Sequence, residues 1–187
     1  MLTFPPPHIT AELIKAAIVN VDNNRFSLET PRAPQADYKV LYYRIDESNA
    51  PPGTFHGNKC KIDILTPGTM HLPSLSEDQI EWYGGLPVVP FPVLLLQKLQ
   101  GWDDHRRMQN EPRKYAKRLT DARDVQDLLA LEEHVDVLRQ SGPDQWPWKN
   151  RDVFSEDFER LSMIRVRDFC AFYPKTRDTF RALGLAM

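Results

Sequence analysis

The feature that most constrains the fold is a change of hydrophobic pattern near the proline-rich stretch 87–92. Before it, the segments 38–45 and 59–66 are short and rich in aromatic or β-branched residues, which is typical of strands. After it, apolar residues recur at helical spacing in the segments 93–102 and 122–139. Strands followed by helices indicate an α+β fold, with the helices gathered in the C-terminal half.

The remaining elements follow from cap and turn residues. We predict a first helix that is capped by Thr10 and ends near Asp22, followed by a short strand over 26–30. Leu86–Pro90 is predicted to be extended. The polar stretch 106–118 is predicted to be a loop with the start of a helix.

Two further caps complete the order of elements. Thr120 or Asp121 is predicted to cap the helix over 122–139, and Ser155 to cap a later helix. A last short helix should end near Gly184. We therefore predict two parts. Residues 1–90 form an α/β part with a small mixed or antiparallel sheet, and residues 91–187 form a helical part. We expect the two parts to pack as one domain.

Charge and cysteine content exclude several classes of protein. The chain has 24 Lys+Arg and 26 Asp+Glu, so a net charge of -2 disfavours a dedicated nucleic-acid coat protein. Two cysteines allow at most one disulfide, unlike a small secreted scaffold. No signal peptide is recognisable, and the apolar stretch 86–96 is about half as long as a spanning helix. We expect an intracellular, cytoplasmic protein with no membrane partner.

Asp63 is the most unusual residue of the predicted strands. It lies between two isoleucines, and aspartate is disfavoured inside strands. A buried carboxylate would need a metal, a cation or several donors as its partner. The alternative is that Asp63 lies on the solvent face beside Lys61 or opposite Lys39. Cys60 is expected to be a buried strand residue that packs as a small hydrophobe.

The helical half contributes a second group of candidates. Lys98 lies in an apolar helix, so its ammonium must reach solvent or pair with a carboxylate. Asp124 and Asp127 are three residues apart and therefore lie on the same side of a helix. Taken alone, each observation is explained more simply by a surface ion pair.

A basic stretch and the histidines add little specificity. Residues 105–118 contain six Lys or Arg against one Glu, with Tyr115 among them, which fits a phosphate, nucleotide or RNA contact or a solvated face. The five histidines and two cysteines show no metal-ligand spacing. Gly-rich phosphate loops and serine-hydrolase elbows are also absent from the sequence.

The order of these motifs resembles a known family. Lys61-Ile-Asp63-Ile-Leu, then Leu86-Pro-Val-Val-Pro with Leu-Leu-Gln-Lys98-Leu, and then Arg123-Asp124-Val-Gln-Asp127 follow one another at moderately specific spacing. This succession resembles the nucleotidyltransferase-fold proteins of the DNA polymerase β-like superfamily. It is most similar to the abortive-infection-type branch with its uncharacterised fungal relatives. The resemblance covers about residues 26–131.

The resemblance implies roles for particular residues. In that family three carboxylates bind two Mg²⁺ ions, which hold the triphosphate and activate a hydroxyl. Asp63 matches the third carboxylate, a catalytic metal ligand, and Lys98 matches a lysine that reaches the nucleotide phosphates. Asp124 and Asp127 match the acidic helix beside it. Arg106 and Arg123 are further candidate phosphate ligands.

The chain also departs from the family pattern. No Gly-Ser or Gly-Gly turn with Asp-x-Asp/Glu precedes Asp63. A single carboxylate does not hold two Mg²⁺ ions, so the resemblance implies a shortened, catalytically incomplete protein with a remnant nucleotide pocket. Two alternatives stay open. One is an active Mg²⁺-dependent nucleotidyltransferase completed by a partner or a missing N-terminus, and the other is a non-enzymatic interaction scaffold. A missing hairpin would leave an open sheet edge, which predicts a homodimer.

Overall fold

The fold was determined as a computed structural model that describes residues 10–31, 38–45, 58–141 and 147–185. It is an α+β fold, as the sequence predicts, with small antiparallel sheets and a mainly helical C-terminal half. Contacts group the chain into two compact units, Met1–Leu72 and Pro73–Met187. The predicted change at residues 90–91 therefore falls inside the second unit, and the packing of both parts as one domain stays a prediction.

The first unit joins one helix to a three-stranded sheet. Helix α1 spans Ala11–Val21, and the Thr10 side chain accepts a hydrogen bond from the Leu13 N–H as predicted. Strands β1, β2 and β3 pair antiparallel in that order, so β1 and β3 are the edges. Their bounds are Phe26–Glu29, Val40–Arg44 and Lys59–Ile62.

A buried lysine links helix and sheet in this unit. The Lys15 ammonium donates to the Glu12 carboxylate at 2.6 Å and to the Lys39 carbonyl at 2.7 Å. The second Glu12 oxygen accepts from the Lys39 N–H at 3.1 Å. These bonds satisfy a charge that burial would otherwise destabilise.

The second unit contains a hairpin, and the sequence analysis predicts only its second strand. Strand β4, Glu81–Tyr83, pairs antiparallel with β5, Leu86–Val88. Gly84 and Gly85 have φ values of 56° and 80°, which glycine adopts without strain, and they turn the chain between the strands. The hairpin was missed because β4 has three residues inside a stretch that is otherwise polar.

Helices form the core of the second unit. Their bounds are Phe91–Arg107 for α2, Pro112–Leu129 for α3, Glu132–Ser141 for α4, Glu156–Phe172 for α5 and Arg177–Ala182 for α6. Helix α2 packs on both α3 and α5. The largest fully buried side chains of this core are Leu95, Leu96, Leu99, Trp102, Val125, Trp148, Phe154, Phe158, Phe169, Phe180 and Leu183.

Two predicted helix boundaries are wrong. Helix α2 continues to Arg107, and α3 already begins at Pro112, so most of the stretch predicted as a loop is helical. The helix predicted over 122–139 is two helices, which Ala130 and Leu131 separate. Proline is favoured in the first helical turn, and Pro112 starts α3 well before Thr120 and Asp121.

None of the helices in the described part of the chain is both long enough and apolar enough to cross a lipid bilayer.

Candidate functional site

Asp63 lies just after β3 and is solvated. Its side chain is 66% exposed, and a carboxylate oxygen lies 2.7 Å from the Lys61 ammonium. The hydrogen bond to Asp63 raises the pKa of Lys61 above its usual value. The geometry is the one expected if Asp63 lies on the solvent face beside Lys61, and its role as a metal ligand stays a prediction. Cys60 is exposed on the edge strand β3, so its predicted burial is wrong.

The surroundings of Asp63 do not fit a two-metal centre. Two Mg²⁺ ions at about 3.5–4 Å need shared carboxylate ligands. Across the described ranges, no group of three His, Cys, Asp or Glu side chains is arranged to hold a metal ion. The nearest charged partner of Asp63 is a lysine, which opposes a bound cation.

Lys98 and Asp124 meet across two neighbouring helices. Lys98 Nζ, on α2, donates to Asp124 Oδ2, on α3, at 2.8 Å. Both side chains are about one-third to two-fifths exposed, at 41% and 34%. Sequence spacing places each residue on a helix, and packing of α2 on α3 brings them together. Of the predicted nucleotide ligands, these two form a direct contact.

A histidine that the sequence analysis did not single out lies on the same side of α2. His105 Nδ1 is 2.6 Å from Asp121 Oδ2, and both side chains are largely buried. Lys98 and His105 are two helical turns apart, with Gly101 between them. A Cβ atom built on Gly101 meets nothing within 4 Å, so the helix surface is open there. We call Lys98, His105, Asp121 and Asp124 the polar row. Helical spacing of His105 from Lys98 was the available signal for it.

Arg106 belongs to a different, buried network. Its Nε donates to Asp103 at 2.7 Å, another guanidinium nitrogen bonds Asp168, and its Cζ lies 4.9 Å from the centre of the Trp102 ring. Arg107 also pairs with Asp103, at 2.9 Å. Carboxylates of its own unit therefore neutralise Arg106, and the structure shows a packing role for this predicted phosphate ligand.

Arg165, on α5, completes this network but is incompletely bonded. Its side chain is 7% exposed, and its Nε is 3.6 Å from Asp103 Oδ2, which is too long for a hydrogen bond. Burial lowers the pKa of Arg165 from its usual value, against the attraction of Asp103. Gln100 Oε1 and Ser162 Oγ, one turn earlier on α2 and α5, are also buried without a hydrogen-bond partner in the described chain.

The other predicted ligands lie on the exposed surface of α3. Arg123 and Asp127 are exposed, and neither forms an ion pair within the described ranges. In the basic stretch, the Arg118 guanidinium lies 3.6 Å from the centre of the Tyr115 ring and covers one face of it. One face of the Tyr115 ring is therefore covered by an arginine of the same helix, and contact of this stretch with phosphate, nucleotide or RNA stays a prediction.

A pocket of about 420 Å³ opens between the hairpin, the start of α2 and α4. Its walls are mainly apolar, and the His134 ring stacks on Phe91 with centroids 5.0 Å apart. Asp78 and Glu81 are the carboxylates of its lining. Pockets of this size and composition are typical of ligand or peptide sites, and sequence reasoning gave no sign of it.

Comparison of the chain with family models, with curated proteins and with solved structures finds no match.

Proposed function

We propose that this is a nucleotidyltransferase-like protein, catalytically incomplete, whose polar row binds the phosphates of a nucleotide. The proposal rests on the order of the motifs and on one contact in particular. The resemblance assigns Lys98 to the phosphates and Asp124 to the acidic helix beside it. Lys98 Nζ, on α2, lies 2.8 Å from Asp124 Oδ2, on α3. That contact needs no assumption about the first unit.

The physical properties of this pair suit a ligand site. A partly exposed ion pair contributes only about 0–1 kcal/mol, so the lysine ammonium can exchange Asp124 for a phosphate oxygen when the carboxylate turns to solvent. Asp124 still holds the lysine in place when no ligand is bound. The open helix surface at Gly101 gives a phosphate group room beside Lys98. His105, oriented by Asp121, offers its second ring nitrogen to the ligand.

Catalysis is not part of the proposal for the chain alone. Asp63 is solvated and paired with Lys61, and no Asp-x-Asp/Glu precedes it in this sequence. Turnover would need further carboxylates from a partner or from additional chain. We expect no nucleotide transfer by the purified chain, with or without Mg²⁺.

The test is calorimetric titration of the full chain with ATP, GTP, CTP and UTP, each with and without Mg²⁺. Lys98→Met removes the ammonium and keeps the side-chain length, whereas Lys114→Met removes an exposed lysine of α3 that pairs with Glu111. We expect binding in the wild type and in Lys114→Met and at least about tenfold weaker binding in Lys98→Met. Equal affinities for both variants, or no binding at millimolar concentration, would overturn the proposal.

A scaffold that binds another protein is the second candidate, and the β4–β5 hairpin favours it. Trp82, Tyr83 and Leu86 are 64%, 82% and 68% exposed on a two-stranded hairpin, an arrangement that is marginally stable alone. Exposed aromatic residues of this kind are common anchors of interfaces. Glu81 of the hairpin and Asp78 also line the neighbouring apolar pocket.

The partner segment for this scaffold would combine apolar side chains with Lys or Arg. Its binding is measured with a labelled Lys-Leu-Leu-Lys-type peptide and a Glu-Leu-Leu-Glu control. Trp82→Ser should abolish binding of the lysine peptide, and Leu119→Ser, at an exposed leucine of α3, should leave it unchanged. Equal binding of both peptides would exclude recognition by charge.

A further inference from the structure

A second cavity, separate from the polar row, lies against α5 and α6. It measures about 570 Å³. None of the described residues that line it is acidic, and three of them are arginines. The lining comprises Met163, Ile164, Arg167, Cys170, Arg177, Arg181, Gly184 and Leu185. We call it the arginine pocket.

Helical spacing gathers the three guanidinium groups at this pocket. Arg167 lies one turn from Met163 on α5, and Arg177 and Arg181 lie one turn apart on α6. Three like charges around one cavity repel each other unless an anion or solvent separates them. The pocket is therefore electrostatically suited to an anion.

The arginines are only weakly engaged by carboxylates of the chain. Arg167 contacts its neighbour Asp168 at 3.2 Å, but Asp168 also binds Arg106. Arg181 pairs with Asp178, whose side chain is 91% exposed. Arg177 forms no ion pair within the described residues. Exposed pairs of this kind contribute little, so the guanidinium groups are available to a ligand.

The apolar residues of the lining indicate what kind of group the anion is attached to. Cys170 and Leu185 are 3% and 2% exposed, and Met163 and Ile164 lie beside them. Burial raises the pKa of the Cys170 thiol, so it is neutral and adds no negative charge to the pocket. A fully solvated inorganic anion would leave these apolar groups without a partner.

We propose that the arginine pocket binds a phosphate monoester attached to a planar or apolar body. A phosphate dianion accepts paired hydrogen bonds from more than one guanidinium, and the attached body covers the apolar lining. The site shares no residue with the polar row, so the inference goes beyond the proposed function and does not depend on it.

Cys170 provides a direct report of occupancy. Because the chain has two cysteines, the Cys60→Ser variant retains Cys170 as its single thiol. Its alkylation by neutral iodoacetamide is followed by mass spectrometry with AMP, adenosine, inorganic phosphate or dihexanoyl phosphatidic acid present. Because Cys170 is almost fully buried, its thiol reacts only when the pocket opens, and a ligand that binds the closed pocket at tenfold its Kd should slow alkylation about tenfold.

The expected result is protection by AMP or by the short-chain phosphatidic acid, with weaker protection by phosphate and by adenosine at equal concentration. The better of the first two ligands identifies the attached body as a nucleoside or a lipid. Arg177→Gln should remove the protection. Arg160→Gln, at an exposed arginine of α5 that pairs with Asp157, should leave it intact.

A control variant and a second measurement complete the experiment. Lys98→Met should leave protection intact, so failure of the polar-row proposal and failure of this one are distinguishable. Thermal melting of the wild type and Arg177→Gln with both ligands measures binding independently of thiol reactivity. Equal protection and equal stabilisation in Arg177→Gln, or none with any phosphate at millimolar concentration, would overturn the proposal.

Discussion

Helix α2 places two aspartate–cation contacts in opposite environments. Toward α5, Asp103 is 5% exposed and lies among three arginines, one of which is itself buried. Toward α3, Asp124 holds a single lysine, and both side chains are partly solvated. The buried contact cannot be opened without leaving an unpaired charge, whereas the partly solvated one can be exchanged for a ligand. Burial, more than residue type, separates a packing role from a binding role here.

Breaking the buried contact should have the largest effect. Asp103→Ala leaves the Arg165 guanidinium buried without a counter-charge and removes the anchor of Arg106 and Arg107. We expect the free energy of unfolding to fall by about 3–5 kcal/mol in urea denaturation followed by circular dichroism.

The controls for Asp103→Ala separate charge from packing. Asp168→Ala removes a more exposed carboxylate of the same network and should cost clearly less. The double variant Asp103→Leu/Arg165→Leu should regain much of the lost stability, because both charges are then absent. A loss below about 1 kcal/mol in Asp103→Ala would contradict the contrast drawn between the two sides of α2.

Breaking the partly solvated contact should change stability little. Lys98→Met keeps the aliphatic stem against the helix and removes an ion pair that contributes about 0–1 kcal/mol. The same denaturation experiment measures it. A loss above about 2 kcal/mol would show that Lys98 is a structural residue, whatever its effect on nucleotide binding.

The smallest effect is the pH-dependent part of the stability that Glu12 contributes in the first unit. The hydrogen bonds from Lys15 and from the Lys39 N–H hold the pKa of Glu12 below its usual value. A lowered pKa stabilises the fold above the unfolded-state pKa, near 4.5, and that contribution is lost as the pH falls through the folded-state pKa.

Glu12→Gln should therefore be less stable than the wild type at neutral pH, and the difference should shrink on acidification. Denaturation at several values between about pH 3 and pH 6 measures this trend. The matched control is Glu133→Gln, at an exposed glutamate of α4. A difference between Glu12→Gln and the wild type that is constant across this range would show that Glu12 acts through packing alone.

The sequence predicts secondary structure well in segments where strand alternation or helical spacing is clear. Residue type and capping predict the strands β2 and β3, the Thr10 and Ser155 caps and the apolar face of α2. Strand β3 ends at Ile62, four residues earlier than predicted, and its alternation does not match its burial. The start of α3 was missed because its first half is basic and exposed and has no apolar period. Pro112 was the overlooked signal.

The candidate site was only partly accessible from sequence. Lys98 and Asp124 could be paired because a resemblance linked their motifs, and α2–α3 packing brings them together. The burial of Arg106 and Asp103 could not be foreseen, since it depends on α5, which joins them from far along the chain. The two pockets arise from the arrangement of several elements, and no local pattern encodes such a cavity.

The hairpin has two chemically unequal borders because of one proline. Trp82 and Pro87 are paired across the hairpin, and they are the second pair counted from the two-residue turn. At the second pair from such a turn, the backbone N–H and C=O groups point away from the partner strand. Pro87 has no N–H to donate at the outer border of β5, so an additional strand there cannot form its complete set of backbone hydrogen bonds. The β4 border keeps its donor. Within the hairpin, an additional strand can therefore pair in full along β4 but not along β5.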